Sequence, residues 1–222
     1  MTLCGQIVET QPNWFEYPKI RTLYKRDEKF KVTQQLDMPE FGMIDKWYVT
    51  EKLHGSNIRV HWNGEKVFFG GRTAVDTSFI KGDLTDRLRE TFTLEKMAAT
   101  FGEDPTTSVT IFGEGYGPGI QKGGGNYRKD KDFALFDVHI GGYWLEPDSM
   151  QDVVEKLGCN TVHVFGMMNI GEITDLVRNG YQSPEATKNT GVEHKAEGVI
   201  ARTTPGLFTR YGTRLMFKLK SD

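Results

Sequence analysis

Lys52 lies in the run Thr50-Glu51-Lys52-Leu53-His54-Gly55-Ser56-Asn57. It ends one stretch of β-forming residues, and a glycine opens the next. A lysine held between two strands faces a pocket rather than open water. Desolvation there lowers its pKa, and a neutral amine is a nucleophile suited to covalent catalysis. An isolated Lys-x-x-Gly would be an ordinary solvated lysine at a turn, so the reading depends on what else the chain supplies. Acids stand at the expected ends of later strands, namely Glu114, Asp137 and Glu197, followed by Lys218 and Lys220. One nucleophile candidate, three acids and two lysines on one strand face suggest a pocket for a polyphosphate and a divalent metal.

The elements that must position these groups are legible in outline. Strands are expected at 46–52, 57–62 and 65–69. In the second, Ile58, Val60 and Trp62 alternate with Arg59 and His61, the period of a half-buried strand. Asn63-Gly64 between the second and third predicts a type I′ hairpin. Gly70-Gly71 then leaves Arg72 at the rim. Leu84, Leu88 and Phe92, then Leu94, Met97, Ala98 and Phe101, predict a helical region over 83–101, with Thr93 capping a second helix. Val109–Gly113 and Phe133–Val138 read as strands, the latter returning through Tyr143-Trp144-Leu145. Helices are expected at 149–157, where Asp148 and Gln151 resemble a capping box, at 171–178, and from Ser183-Pro184-Glu185. Glu197–Arg202 and Leu215–Lys220 are strand-like, and Lys218 and Lys220 project from one face.

The chain has 222 residues, 37% hydrophobic and 26% charged, which suits a soluble protein with a sizeable core. Its net charge of −2 excludes a global basic field, so nucleic-acid contact must be a local patch. Lys19, Arg21, Lys25, Arg26, Lys29 and Lys31 make residues 1–46 basic, either a solvated face or an edge that contacts phosphates. Lys122, Arg128, Lys129 and Lys131 read as a solvated loop, with RNA contact the alternative. Cys4 and Cys159 are too few for a disulfide framework and read as thiols in a reducing, cytoplasmic compartment. No apolar run is long enough to span a bilayer, and the start is not a signal peptide. The glycines between 115 and 125 match neither a P-loop nor a Rossmann fingerprint. His139, His163 and His194 have no zinc-ligand spacing with either cysteine.

Taken in order, the motifs resemble those of the covalent nucleotidyltransferases, the superfamily of ATP-dependent ligases and capping guanylyltransferases. Lys52-Leu53-His54-Gly55 is similar to motif I, Gly71-Arg72 to motif Ia, and Phe112-Gly113-Glu114 to motif III. Leu135-Phe136-Asp137 resembles motif IIIa, Glu197-Gly198-Val199 motif IV, and Phe217-Lys218-Leu219-Lys220 motif V. The histidine in Lys-x-His-Gly, where DNA ligases and capping enzymes usually have aspartate, and the run Gly117-Pro118-Gly119-Ile120-Gln121 resemble the bacteriophage RNA ligase 2 and RNA-editing ligase group.

The resemblance implies an α+β nucleotidyltransferase domain, ATP-grasp-like, of largely antiparallel sheets with flanking helices. It also implies an ATP-dependent RNA ligase that uses Mg2+ or Mn2+ and acts on RNA ends. Lys52 would form lysyl–AMP, the Glu51 backbone would read the adenine edge, and Phe136 would stack on the base. Arg72 and Glu114 would hold the ribose hydroxyls or the RNA end, Glu197 the metal, and Lys218 and Lys220 the α-phosphate. His54, Asn57 and Asp137 would serve the later steps. The expected organisation is one domain over 1–222, with a basic arm (1–46), a catalytic core (47–222), and no C-terminal OB-fold or helical domain. The competing readings are a DNA ligase or end-adenylylating enzyme, and an inert nucleic-acid-binding module of the same fold.

Overall fold

Lys52 marks the point where the chain passes from one sheet to another. A computed structural model describes residues 15–221 apart from 74–76, 78–79, 81 and 105; Cys4 lies outside them. In chain order the elements are β1 (Arg21–Thr22), β2 (Tyr24–Arg26), β3 (Val32–Leu36), β4 (Trp47–Lys52), β5 (Gly55–Trp62) and β6 (Val67–Gly71). Helices α1 (Gly82–Thr91) and α2 (Leu94–Phe101) precede β7 (Val109–Tyr116), β8 (Asp132–Ile140) and β9 (Tyr143–Trp144). Then come α3 (Pro147–Leu157), β10 (Asn160–Thr161), β11 (Val164–Met168), α4 (Ile170–Asn179), α5 (Pro184–Thr190), β12 (Gly198–Arg202) and β13 (Met216–Lys220). Among the described residues one sheet has the order β1-β13-β12-β4-β11 and another β10-β8-β7-β5-β6, with β9 beside β8 and β2-β3 a separate pair. Pairing is antiparallel except for β1 with β13 and β10 with β8, an α+β arrangement.

Each sheet buries one face under helices. Ile58, Val60 and Trp62 of β5 pack with Leu84 and Leu88 of α1, Phe92 just after it, Met97 of α2 and Val153 of α3. Trp47 and Val49 of β4 pack with Val199, Phe217 and Ile173 and Val177 of α4. Leu23 and Phe41 belong to this second core, so residues before 47 are part of the sheet's packing. Burying large apolar side chains on these faces stabilises the fold by roughly 1.5–3 kcal/mol each. Among the described residues no helix is long and apolar enough to cross a membrane.

Several expectations are corrected. β5 is buried on both faces: Arg59 donates to the Gly71 carbonyl and His61 meets Thr110. Only Gly64 in the β5–β6 turn has positive φ (90°), so the two positive φ values of a type I′ turn are not formed. The side-chain oxygen of Asn63 instead accepts from the Glu65 and Lys66 amides. Thr93 and Ser183 do cap α2 and α5. Pro147 takes the first turn of α3 and moves its cap to Glu146, so Asp148 and Gln151 form no box. The capping box belongs to Asn169 and Glu172 on α4. Leu94 of the α2 stripe is exposed. Glu114 and Asp137 are interior to their strands rather than at the ends. Arg128 and Lys131 are tied down rather than solvated, Arg128 to Asp130 and Asp132 and Lys131 to Asp83.

Candidate active site

The register of the first sheet lines up the site. Gly198 lies opposite both Lys52 and Lys220, and Ile200 lies opposite both Thr50 and Lys218. Side chains two apart on a strand share a face. Lys52, Lys218 and Lys220 therefore emerge on one side of the sheet while Trp47, Val49 and Phe217 fill the core behind it. Lys52 and Lys220 flank β12 about 10 Å apart, two strand spacings. Glu197, just before β12, closes that gap: its Oε2 accepts from Lys52 Nζ and its Oε1 pairs with Lys220 Nζ, both at 2.7 Å. A side chain at Gly198, where φ is 147°, would collide with the Leu219 carbonyl, so this close approach requires glycine.

The second sheet supplies the opposite wall. Gly55 opens β5 directly against β7, and a Cβ there would strike the Gly115 carbonyl and the Glu114 side chain. Phe136 is the extra residue of a bulge in β8, since Phe112 pairs with Asp137 and Gly113 with Leu135. Bulges re-aim side chains, and Phe136 lines the cavity while Asp137 does not. Between the walls is a cavity of about 300 Å³, lined by Lys52, Lys218, Lys220, Arg72, Glu114 and Asn57, among others.

Its electrostatics favour an anion. Burial pushes the Lys218 ammonium below its ordinary range, and Lys220, Lys52, Arg72 and Lys19 push it further the same way. Burial raises the Glu197 carboxyl, but Lys52, Lys220 and His54 outweigh it and hold the group below the usual value. Glu114 rises to about 7, through burial and Glu197, against the pull of Lys52. Asn57 Oδ1 and His54 Nδ1 are buried without a hydrogen-bond partner among the described residues. Among the described residues no group of three or more His, Cys, Asp or Glu forms a self-sufficient metal site. Glu197 and Glu114 are the carboxylates at hand. Magnesium-type sites use one or two carboxylates plus substrate phosphates, and this donor set fits that pattern.

The sequence-predicted residues are thus divided. Lys52, Asn57, Arg72, Glu114, Phe136, Lys218 and Lys220 line the cavity, with Glu197 salt-bridged to two of them. His54 sits beside it, 3.9 Å from Glu197, edge-on to Tyr127. Glu51 contributes to the lining, but its amide already donates to the His163 carbonyl at 2.8 Å. Its carboxylate is buried, accepting from Ser183 Oγ and the Glu185 amide, and burial raises it to about 7. Asp137 is fully buried behind the wall, held by Tyr17, Arg202 and Arg214. Lys19, Tyr17 and Arg202 also line the cavity. Lys19 was visible only as one charge in a basic arm, and Arg202 only as the end of a strand.

A family model described as RNA ligase matches residues 45–220. No curated protein matches the sequence. Solved structures of the RNA ligase of Naegleria gruberi share the fold. A mutant with ATP and Mn aligns at 20% identity with a TM-score of 0.68, covering 95% of this chain and 57% of that one. A mutant with AMP and Mn aligns at 18% identity and 0.67, with the same coverage. The ligase with PPi aligns at 20% and 0.65, again over 95% and 57%. The chain thus spans little more than half the length of these structures. The family match covers the sheet transition at Lys52 and every cavity-lining strand from β4 to β13, and on it the chain belongs to the RNA ligase family.

Proposed function

We propose that this chain is a single adenylyltransferase domain acting as an ATP-dependent RNA ligase, which joins 3′-OH and 5′-phosphate RNA ends. The observation that carries the reading is the gathering of Lys19, Lys52, Arg72, Lys218 and Lys220 at one cavity, with no ion pair or hydrogen bond to the Lys218 ammonium among the described residues. The relatives solved with ATP, AMP, PPi and Mn support the same ligands here.

In the first step neutral Lys52 Nζ attacks the α-phosphorus of ATP. The N–P bond forms as the bond to the bridging oxygen breaks, and pyrophosphate leaves with the electron pair. Lys218 and Lys220 neutralise charge that builds on the phosphates, which is where such transfers are stabilised. A 5′-phosphate oxygen of RNA then displaces Lys52 from phosphorus, giving the adenylylated end. Attack by a 3′-OH on that end expels AMP. Phe136 stacks on adenine, Arg72 and Glu114 hold ribose hydroxyls or the RNA end, and His54 and Asn57 serve the later steps. The Glu51 backbone reads the adenine edge, through its carbonyl since its amide is occupied, and its buried carboxylate fixes the strand just before Lys52. Asp137 acts through Arg202 and Tyr17 as a positioning residue. A divalent ion held by Glu197 with Glu114 would neutralise phosphate charge and compete with Lys52 for Glu197. Before that exchange, Glu197 holds Lys52 in an ion pair at 2.7 Å. The proposed setting is RNA repair in the cytoplasm.

Incubation with radiolabelled ATP and Mn2+ or Mg2+ should put acid-labile AMP on the native protein and none on Lys52→Ala. Absence of label on the native protein would leave only a nucleic-acid-binding module. Sealing of nicked duplexes should be faster when the 3′-OH strand ends in ribonucleotides. Equal rates would favour a DNA ligase or end-adenylylating enzyme.

A further inference from the structure

Beside the cationic cavity runs a wider groove of about 1010 Å³ that shares Lys19, Met216 and Lys218 with it. Phe15, Trp144 and Phe208 line this groove together with the ring of His139. Phe15 stacks on His139 with centroids 4.0 Å apart and meets Trp144 edge-on. The guanidinium of Arg214, which also lines the groove, lies 4.4 Å over the Trp144 ring. Phe208 is 50% exposed and sits on the hairpin between β12 and β13, whose sequence is Phe208-Thr209-Arg210-Tyr211-Gly212-Thr213-Arg214. Aromatic and basic residues interleave there, and Arg210 stacks over an exposed Tyr211. Arg21 joins the groove with half its side chain in solvent, although it pairs with Asp37.

Exposed rings with cations beside them are the pattern that binds unpaired bases by their faces and phosphates by their charge. A duplex keeps its bases stacked and offers no free face. We propose that this groove binds an unpaired stretch of RNA leading to the end that reacts, with bases on Phe208 and Phe15 and phosphates toward Arg21 and Lys19. The assignment rests on the RNA-ligase reading. Two observations carry it: the charge complementarity, and the groove's direct continuity with the cavity at Lys218.

The test is equilibrium binding of a fluorescent single-stranded RNA oligomer to the full chain, without ATP, over one series of salt concentrations common to all variants. Phe208→Ala should weaken binding roughly five- to a hundredfold, the range for loss of one stacking aromatic. Arg21→Gln should lower the salt slope by about one. Blunt duplex RNA should bind more weakly, with Phe208→Ala changing its affinity less than twofold. Equal affinity of Phe208→Ala and native protein for the single strand would overturn the proposal, as would an equal loss for duplex. Because no ATP is present, these outcomes are independent of whether Lys52 takes the AMP label.

Discussion

Glu197 and Asp137 are each held by two cations, and they do opposite work. Glu197 lies between Lys52 and Lys220, whose side chains are 22% and 46% exposed, at the edge of the cavity. Asp137 lies between Arg202 and Arg214, which are 7% and 5% exposed, with Tyr17 as a third donor. An ammonium on a flexible stem can swap its carboxylate for a phosphate, whereas a buried guanidinium fork holds its partner in one geometry. The first cluster is therefore built to be rearranged by a ligand. The second is built to stay fixed, holding the wall that carries Phe136, whose carbonyl also accepts from Arg202.

The largest expected effect separates the two clusters. Asp137→Asn keeps the shape but leaves two buried guanidiniums without their counter-charge, a loss of about 3–5 kcal/mol by analogy with broken buried pairs. Glu197→Gln should cost no more than about 1 kcal/mol, because its lysines can turn to water. Denaturant unfolding of both variants, compared at equal m-value, checks this. Similar costs for the two would end the distinction.

A carboxylate with no cation against it among the described residues sharpens the contrast by reversing the sign of the pH dependence. Glu51 is buried, immediately precedes Lys52, and has its carboxyl raised to about 7 by burial despite the Ser183 and Glu185 hydrogen bonds. The folded protein then keeps a proton that the unfolded chain releases near pH 4.5. Its contribution is full below that value and is lost as pH rises toward 7, by up to about 3 kcal/mol. Glu197, held low by its lysines, contributes in the opposite sense and loses stability on acidification. His61, lowered by burial and Arg59 to about 4, also favours higher pH, so the raw curve mixes signs. The difference between native protein and Glu51→Gln across pH 4.5–7 isolates the Glu51 term, and it should fall as pH rises. A flat difference would mean that Glu51 is ionised in the fold.

How much of this could be read in advance follows the same division. Lys52, Lys218 and Lys220 were legible because alternation along a strand decides which side chains share a face. Thr93 and Ser183 were legible because caps act within three residues. The pairing of β12 between β4 and β13 was not legible, because register depends on partners about 150 residues apart, and it alone brings Glu197 between two lysines. The bulge at Phe136 has no local signature, since a one-residue insertion shows only against the partner strand. That bulge goes with the separation of Phe136, in the cavity, from Asp137 behind it. The box at Asp148 and Gln151 failed because Pro147 takes the first turn of α3, and the one at Asn169 and Glu172 on α4 was overlooked although its spacing fits the pattern equally well.

The smallest stability effect has the opposite sign to all the others. Lys218 has no ion pair or hydrogen bond among the described residues and is pushed by four neighbouring cations. Removing it should therefore leave the fold slightly more stable, by a few tenths of a kcal/mol, as like-charge repulsion is relieved. The same Lys218→Ala change should weaken pyrophosphate binding roughly tenfold or more, because a charge-assisted hydrogen bond of about 1.5–3 kcal/mol is lost. A residue that costs stability and strengthens ligand binding is what a preorganised anion site requires. Lys220→Ala should behave differently, since its partner Glu197 would keep only Lys52. Thermal unfolding and pyrophosphate titration of the Lys218 variant, run together, test both signs. A loss of stability with unchanged pyrophosphate affinity would mean that Lys218 is a structural lysine and that the cavity's charge is not arranged for phosphate.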